Sequence, residues 1–325
     1  MKKIKISHLW TAGHETIINS VFFNLIKIIS KKNIVFTTPS KCDLLILGPY
    51  NLETLSNRYK QILQRSLRFS KIKEYLDDIQ KGLLLRKQKP ITIFYAHENV
   101  RSHLIKSDFS ITSDFENNNT RHLRFPIWKE NIDWSHEGIK RSNDIFMIKR
   151  FGEFYDLKKL LNPLGGSFLS RKNICIFTSH MNEPRGEIFR QFSKHFVVDG
   201  YGPFFNKKIK NHNLSSFLKI DILRKYAFNL CPHNSIYPGY YEEKVPESFL
   251  GGCLPITWSD ENIRFDFNEK SFVNLNNYIA GGFKNIIEML KDSNYLKKFT
   301  DQPLLLKEPN LETEKSFLDK IIKNI

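Results

Sequence analysis

Residues 225–275, KYAFNLCPHNSIYPGYYEEKVPESFLGGCLPITWSDENIRFDFNEKSFVNL, decide the fold. Tyr226–Cys231 is short, apolar and bounded by polar residues, which reads as a buried strand. Pro232–Tyr241 follows as a polar, aromatic loop. Glu242–Leu250 has helical spacing and ends at Gly251-Gly252, a helix-stop signal. Leu254–Trp258 then returns as a second apolar strand. Strand, loop, helix and strand in this order form one turn of a parallel α/β unit.

The same alternation runs outward in both directions. Upstream, Asn173–Thr178 is a strand, Arg185–His195 a helix, Phe196–Asp199 a strand and Ser215–Arg224 a helix. Residues 281–325 read as mostly helical. A separate series precedes these. Lys3–Leu9, Asn33–Thr37, Asp43–Leu47, Ile91–Tyr95 and Phe109–Thr112 read as strands, with helical patterns over Glu15–Ser30 and the basic stretch Asn57–Lys89. The strands are nearly continuous apolar runs, as expected where helices cover both faces of a sheet. Leu161-Asn-Pro-Leu-Gly-Gly-Ser167 is rich in turn residues and reads as a linker. The expectation is therefore an α/β protein with two Rossmann-like domains, residues 1–160 and 161–325, facing a central cleft. Ligands of such domains sit at the carboxyl ends of the strands.

Composition limits the function classes. With 325 residues, 41% apolar, the chain suits two domains. Four scattered cysteines without a CxxC pair read as buried thiols and suggest a reducing compartment. No secretory signal and no apolar run of spanning length is visible, so the expected location is cytoplasmic. The net charge of +16 draws anionic partners, which allows peripheral contact with an anionic membrane face. Neither a GxGxxG nor a P-loop motif occurs, which argues against dehydrogenases and P-loop NTPases.

The chemistry-bearing residues cluster where the first-quoted helix begins. A helix start presents free N–H groups to a phosphate, Lys244 adds a full charge, and Glu243 can accept hydrogen bonds from ribose or sugar hydroxyls. The ordinary alternative is a first-turn glutamate matching the helix dipole and a solvated lysine.

The pattern resembles glycosyltransferase family 10, the α-1,3-fucosyltransferases, including bacterial members. That family runs YKF, a short strand, FEN, YxTEK, a helix, a PI-containing strand and SFV. Here Tyr226-Ala-Phe-Asn-Leu-Cys, Pro232-His-Asn234, Tyr240-Tyr-Glu-Glu-Lys244, Leu254-Pro-Ile-Thr-Trp258 and Lys270-Ser-Phe-Val-Asn274 stand in that order. Asn173–Gly202 and Ile91–Trp128 extend the likeness upstream.

The resemblance implies a GT-B fold, a GDP-fucose donor, an oligosaccharide or glycolipid acceptor, and inversion at the anomeric carbon. It places Glu98 of His97-Glu-Asn99 at the general base. It puts Arg185 and Lys244 at the diphosphate, Glu243 at the ribose or sugar, and Asn234 and Tyr240 at other donor contacts. Asp199 and Tyr201 read as structural. The sequence has no Asp-x-Asp, so no metal and no further cofactor is expected, and cations must stabilise the leaving diphosphate. Synthesis of surface polysaccharide or lipopolysaccharide, or protein glycosylation, would be the setting. The chain departs from the pattern at Ala227, Pro232, His233, Glu242 and His97, which bears on the donor sugar. Two alternatives stand: the same fold with another nucleotide-sugar, and a basic non-catalytic module that binds nucleic acid or membrane.

Overall fold

The computed structural model describes residues 3–50, 89–116, 118–142, 145–171, 173–205 and 218–325. The expected helical stretch Asn57–Lys89 lies almost wholly outside these residues. The chain divides into two units. The first comprises residues 1–125, 134–142 and 310–325, the second residues 126–133 and 143–309.

The first unit holds a six-stranded sheet, all parallel, built from β1 (Lys3–Leu9), β2 (Asn33–Phe36), β3 (Leu44–Leu47), β4 (Ile91–Tyr95), β5 (Phe109–Thr112) and β6 (His122–Arg124). Their spatial order is β2-β1-β3-β4-β5-β6. The helical pattern over Glu15–Ser30 is two helices, α1 (His14–Ile18) and α2 (Val21–Ser30), because Ser20 breaks it. The Ser20 side chain accepts from the Phe23 N–H, an N-cap that satisfies one of the donors a new helix leaves orphaned. α2 buries Val21, Phe22, Leu25 and Ile26. The helix Glu312–Ile322 packs on it, with Phe317 edge-on to Phe109 of β5.

That last contact changes the expected division of the chain. Residues 310–325 return to the first unit, because the apolar face of Glu312–Ile322 (Phe317, Leu318, Ile321) is buried there. The expected linker at 161–167 is folded into the second unit: the Leu164 and Gly165 N–H groups donate to the Gln302 and Thr300 carbonyls. Turn residues marked a bend in the chain, not a boundary between cores.

The second unit holds a five-stranded parallel sheet in the order β11-β10-β9-β7-β8. Its strands are β7 (Ile174–Phe177), β8 (Val198–Tyr201), β9 (Phe228–Leu230), β10 (Leu254–Thr257) and β11 (Val273–Asn274). Ile176, Leu230 and Ile256 pack with Ile188 and Phe192 of the helix Arg185–Ser193 in its core. Each sheet therefore reverses its strand order once, between β1 and β3 in the first and between β7 and β9 in the second. Connections leave such a switch point in opposite directions and open a crevice at the carboxyl ends of the two strands. Among the described residues no helix is long and apolar enough to cross a membrane.

Candidate active site

The switch point of the second sheet is where most of the sequence-predicted residues meet. Beyond β7 the chain runs through Thr178 and His180 to the helix Arg185–Ser193. Beyond β9 it enters the loop from Cys231 to Glu243, ahead of the helix Lys244–Leu250. Gly202 closes against the first of these loops: at φ 100°, an added Cβ would lie 2.6 Å from the Thr178 carbonyl oxygen. Only glycine fits there.

Arg185 is buried and joins the two loops. Nη1 donates to Thr178 Oγ1 (2.7 Å) and the His180 carbonyl (3.0 Å). Nη2 donates to the Pro232 carbonyl (3.3 Å) and to Asn234 Oδ1. Its terminal nitrogens are thus engaged by protein acceptors, and Nε is the donor left without a partner among the described residues. The guanidinium sets the spacing of the two loops as well as supplying charge. Burial pushes its pKa down from the ordinary arginine value.

Asn234 carries the network onward. Its Nδ2 donates to Glu242 Oε1 (2.9 Å), which also accepts from the Tyr240 hydroxyl (3.1 Å). Glu242 Oε2 accepts from Lys244 Nζ (2.6 Å) and lies 3.4 Å from His233 Nδ1. The Glu242 N–H donates to that same Nδ1 (3.3 Å). Burial alone would raise the Glu242 pKa. The Lys244 ammonium and its hydrogen bond lead the opposing effects and hold the carboxyl far below the usual range. His180 is held below the ordinary histidine value by burial first, and then by Arg185 and Lys244.

Arg185, Asn234, Tyr240 and Lys244 are therefore brought together, and the residue that joins them, Glu242, was absent from the expected set. It stands where the resembled pattern has threonine, so pattern matching registered it as a departure. Its two oxygens face three donors from separate positions, which no spacing rule reveals.

Glu243 enters a different network. Its Oε1 accepts from Arg150 Nη2 (3.1 Å), and its backbone carbonyl accepts from the Tyr155 hydroxyl (3.5 Å). Arg150 also lies 3.6 Å from Glu247 Oε1, and Glu247 Oε2 takes Lys219 Nζ. Two anions and two cations thus form a buried, neutral quartet under the start of Lys244–Leu250. That helix has seven residues, and Pro246 in its first turn has no N–H, so its start offers fewer orphan donors than the sequence pattern promised.

Glu98 belongs to the first unit. It follows β4, is exposed, and accepts from the Tyr50 hydroxyl at 3.1 Å. Tyr50 follows β3 through Gly48 and Pro49. A Cβ on Gly48 would lie 2.3 Å from the Trp10 carbonyl oxygen, so the chain crosses the end of β1 only because that residue is glycine. The neighbouring His97 donates or accepts at the Tyr95 hydroxyl (2.6 Å) and packs edge-on to its ring. Asp199 accepts from the Tyr226 hydroxyl (2.8 Å), and Tyr201 pairs with that hydroxyl at 2.6 Å, both beside the core.

Two parallel α/β units, each carrying its charged groups beyond the carboxyl ends of the strands, are the GT-B type of glycosyltransferase fold. Solved structures agree on the fold. A crystal structure of an α1,3-fucosyltransferase superposes with a TM-score of 0.66 at 22% identity, covering 99% of this chain and 90% of that one. An α1,3-fucosyltransferase with GDP-fucose superposes at 0.64 and 20% identity, covering 99% and 91%.

The chain belongs to glycosyltransferase family 10. Residues 169–301 match the family's C-terminal fucosyltransferase model, and residues 50–130 match the N-terminal domain model of the α-(1,3)-fucosyltransferase FucT. The α-(1,3)-fucosyltransferase FucT of Helicobacter pylori is 26% identical over 233 residues, 66% of this chain and 45% of the relative. A putative fucosyltransferase of Acanthamoeba polyphaga mimivirus is 26% identical over 168 residues, 48% of this chain and 27% of the relative. The chain thus spans less than half the length of either relative it matches.

Proposed function

We propose that this chain is an inverting glycosyltransferase that moves fucose from GDP-fucose to a hydroxyl of a glycan acceptor, in the manner of an α-1,3-fucosyltransferase. The observation that carries the reading is the cationic network at the β7/β9 switch point, where Lys244 Nζ donates one of its three N–H groups to Glu242 Oε2 and can turn the others to a diphosphate. Family membership supplies the donor class, and the α1,3-fucosyltransferase solved with GDP-fucose supports the choice of sugar nucleotide.

In this reading Glu98 takes the proton of the acceptor hydroxyl as the new bond forms, a role for which a carboxylate suffices. The sugar inverts in one displacement, and Lys244 with the buried Arg185 stabilises the charge developing on the leaving GDP. The absence of an Asp-x-Asp triplet supports a reaction without a metal. The net charge of +16 supports a cytoplasmic enzyme held peripherally at an anionic membrane face, acting on surface polysaccharide or lipopolysaccharide precursors.

Incubation with GDP-fucose and N-acetyllactosamine-type acceptors, followed by mass spectrometry, should show addition of one deoxyhexose and release of GDP. Lys244→Ala should weaken GDP binding by about 1.5–3 kcal/mol, the scale of a charge-assisted hydrogen bond. Equal binding of GDP and UDP, or transfer only from another sugar nucleotide, would refute the donor assignment.

A further inference from the structure

We infer that Glu242 is a positioning residue of the anion site: it aims Lys244 and, through Asn234, ties that lysine to Arg185. The inference rests on the donor site proposed above, and it concerns the residue at which this chain departs from the family's Thr-Glu-Lys triplet.

Glu242 sits in a hole shaped for a carboxylate. Asn234 Nδ2 and the Tyr240 hydroxyl donate to Oε1, and Lys244 Nζ donates to Oε2. The residue is 6% exposed, so water does not substitute for these partners. From Oε1 the path continues through Asn234 Oδ1 to Arg185 Nη2. Three hydrogen bonds therefore join the site's two cations, and two of them are made by this one side chain.

Two consequences follow. A lysine ammonium on a four-carbon stem has many rotamers, and a carboxylate 2.6 Å away selects among them. Lys244 can keep that bond and still offer its other N–H groups to a phosphate. The carboxylate also lowers the local charge from two cations to a net of one, so a purely electrostatic view holds that Glu242 opposes anion binding. The two views differ in sign. Glutamine at this position would have to place an NH2 against either Lys244 or the Asn234–Tyr240 pair, all of which are donors, so the amide breaks the network although its size fits.

The test is calorimetric titration of inorganic pyrophosphate and GDP into the wild type, Glu242→Gln, Lys244→Ala and the double variant. Positioning predicts that Glu242→Gln weakens both ligands about tenfold, or about 1.4 kcal/mol, despite the added positive charge. In the Lys244→Ala background the same substitution should no longer weaken binding and should partly restore it, because only the repelling charge is left to remove. Tighter or unchanged binding of pyrophosphate by folded Glu242→Gln overturns the inference. Should that variant not fold, Asn234→Ala replaces it: this cuts the link to Arg185 and leaves the Glu242–Lys244 pair. It should weaken pyrophosphate about threefold, and unchanged affinity overturns the inference there too. Pyrophosphate carries no base. A wild type that binds it with this mutational pattern but does not prefer GDP to UDP removes the GDP reading and leaves the role of Glu242 standing.

Discussion

Lys219→Met tests the buried quartet beneath the site. Lys219 is 1% exposed and its ammonium bonds to Glu247, which is fully buried. Burial pushes the lysine's pKa down from its ordinary value against the pull of Glu247, so the pair is held under a real desolvation cost. Methionine fills a similar volume but leaves Glu247 with only Arg150, 3.6 Å away and shared with Glu243. The cluster then changes from neutral to a net negative charge in a dry environment.

Removing one partner of a buried pair costs about 3–5 kcal/mol, and the remaining arginine puts this case near the lower end, about 3 kcal/mol. For a unit of this size that corresponds to a fall in Tm of roughly 6–12 °C. Urea unfolding followed by far-UV circular dichroism measures the first quantity and a thermal melt the second. The double variant Lys219→Met, Glu247→Leu should regain at least half of the loss, because apolar residues often replace a buried ion pair without penalty. A change below about 1 kcal/mol in the single variant would refute the view that these charges depend on one another.

Glu98→Gln should reduce kcat by about 10²–10⁴ with GDP affinity nearly unchanged, as expected for a positioned base that does not touch the nucleotide; near-normal turnover would exclude it. Transfer should continue in EDTA at close to the full rate, and activity restored by Mn²⁺ or Mg²⁺ after EDTA would reveal a metal site. Glu242 and Glu243 have folded pKa values below their unfolded ones, so their contribution to stability is complete above the ordinary value of 4.5 and is lost as pH falls through the folded values. The Tm difference between wild type and Glu242→Gln should accordingly hold from about pH 7 to 5 and shrink below about pH 4; a constant difference would contradict the assignment. Vesicles containing anionic lipid should sediment with the protein at low salt and release it as salt screens the attraction. Indifference to such vesicles would remove the peripheral-membrane proposal.

Much of this protein is legible one residue after another. Runs such as Ile91–Tyr95 and Phe109–Thr112 coincide with strands because a strand buried on both faces needs continuous apolar residues, and that need is local. The alternation of strands and helices makes the sheets parallel, and motif order around Lys244 points to the family. Ends of elements are less legible: Glu242–Leu250 begins as a helix only at Lys244, because Glu242 turns its N–H to His233.

What the tertiary structure alone decides is partnership. Glu312–Ile322 belongs with the first unit because its apolar face finds α2 across nearly the whole chain length. Glu242 and Glu243 are adjacent in sequence, yet one joins Lys244, Asn234 and Tyr240 while the other joins Arg150. Arg185 reads in sequence as a cation for the diphosphate, and the structure makes it also a buried strut between two loops. A carboxylate or guanidinium can be written down from the sequence, but its partners are set by distances between segments 47 and 93 residues apart in the chain. Those distances exist only once the second unit has packed around its sheet.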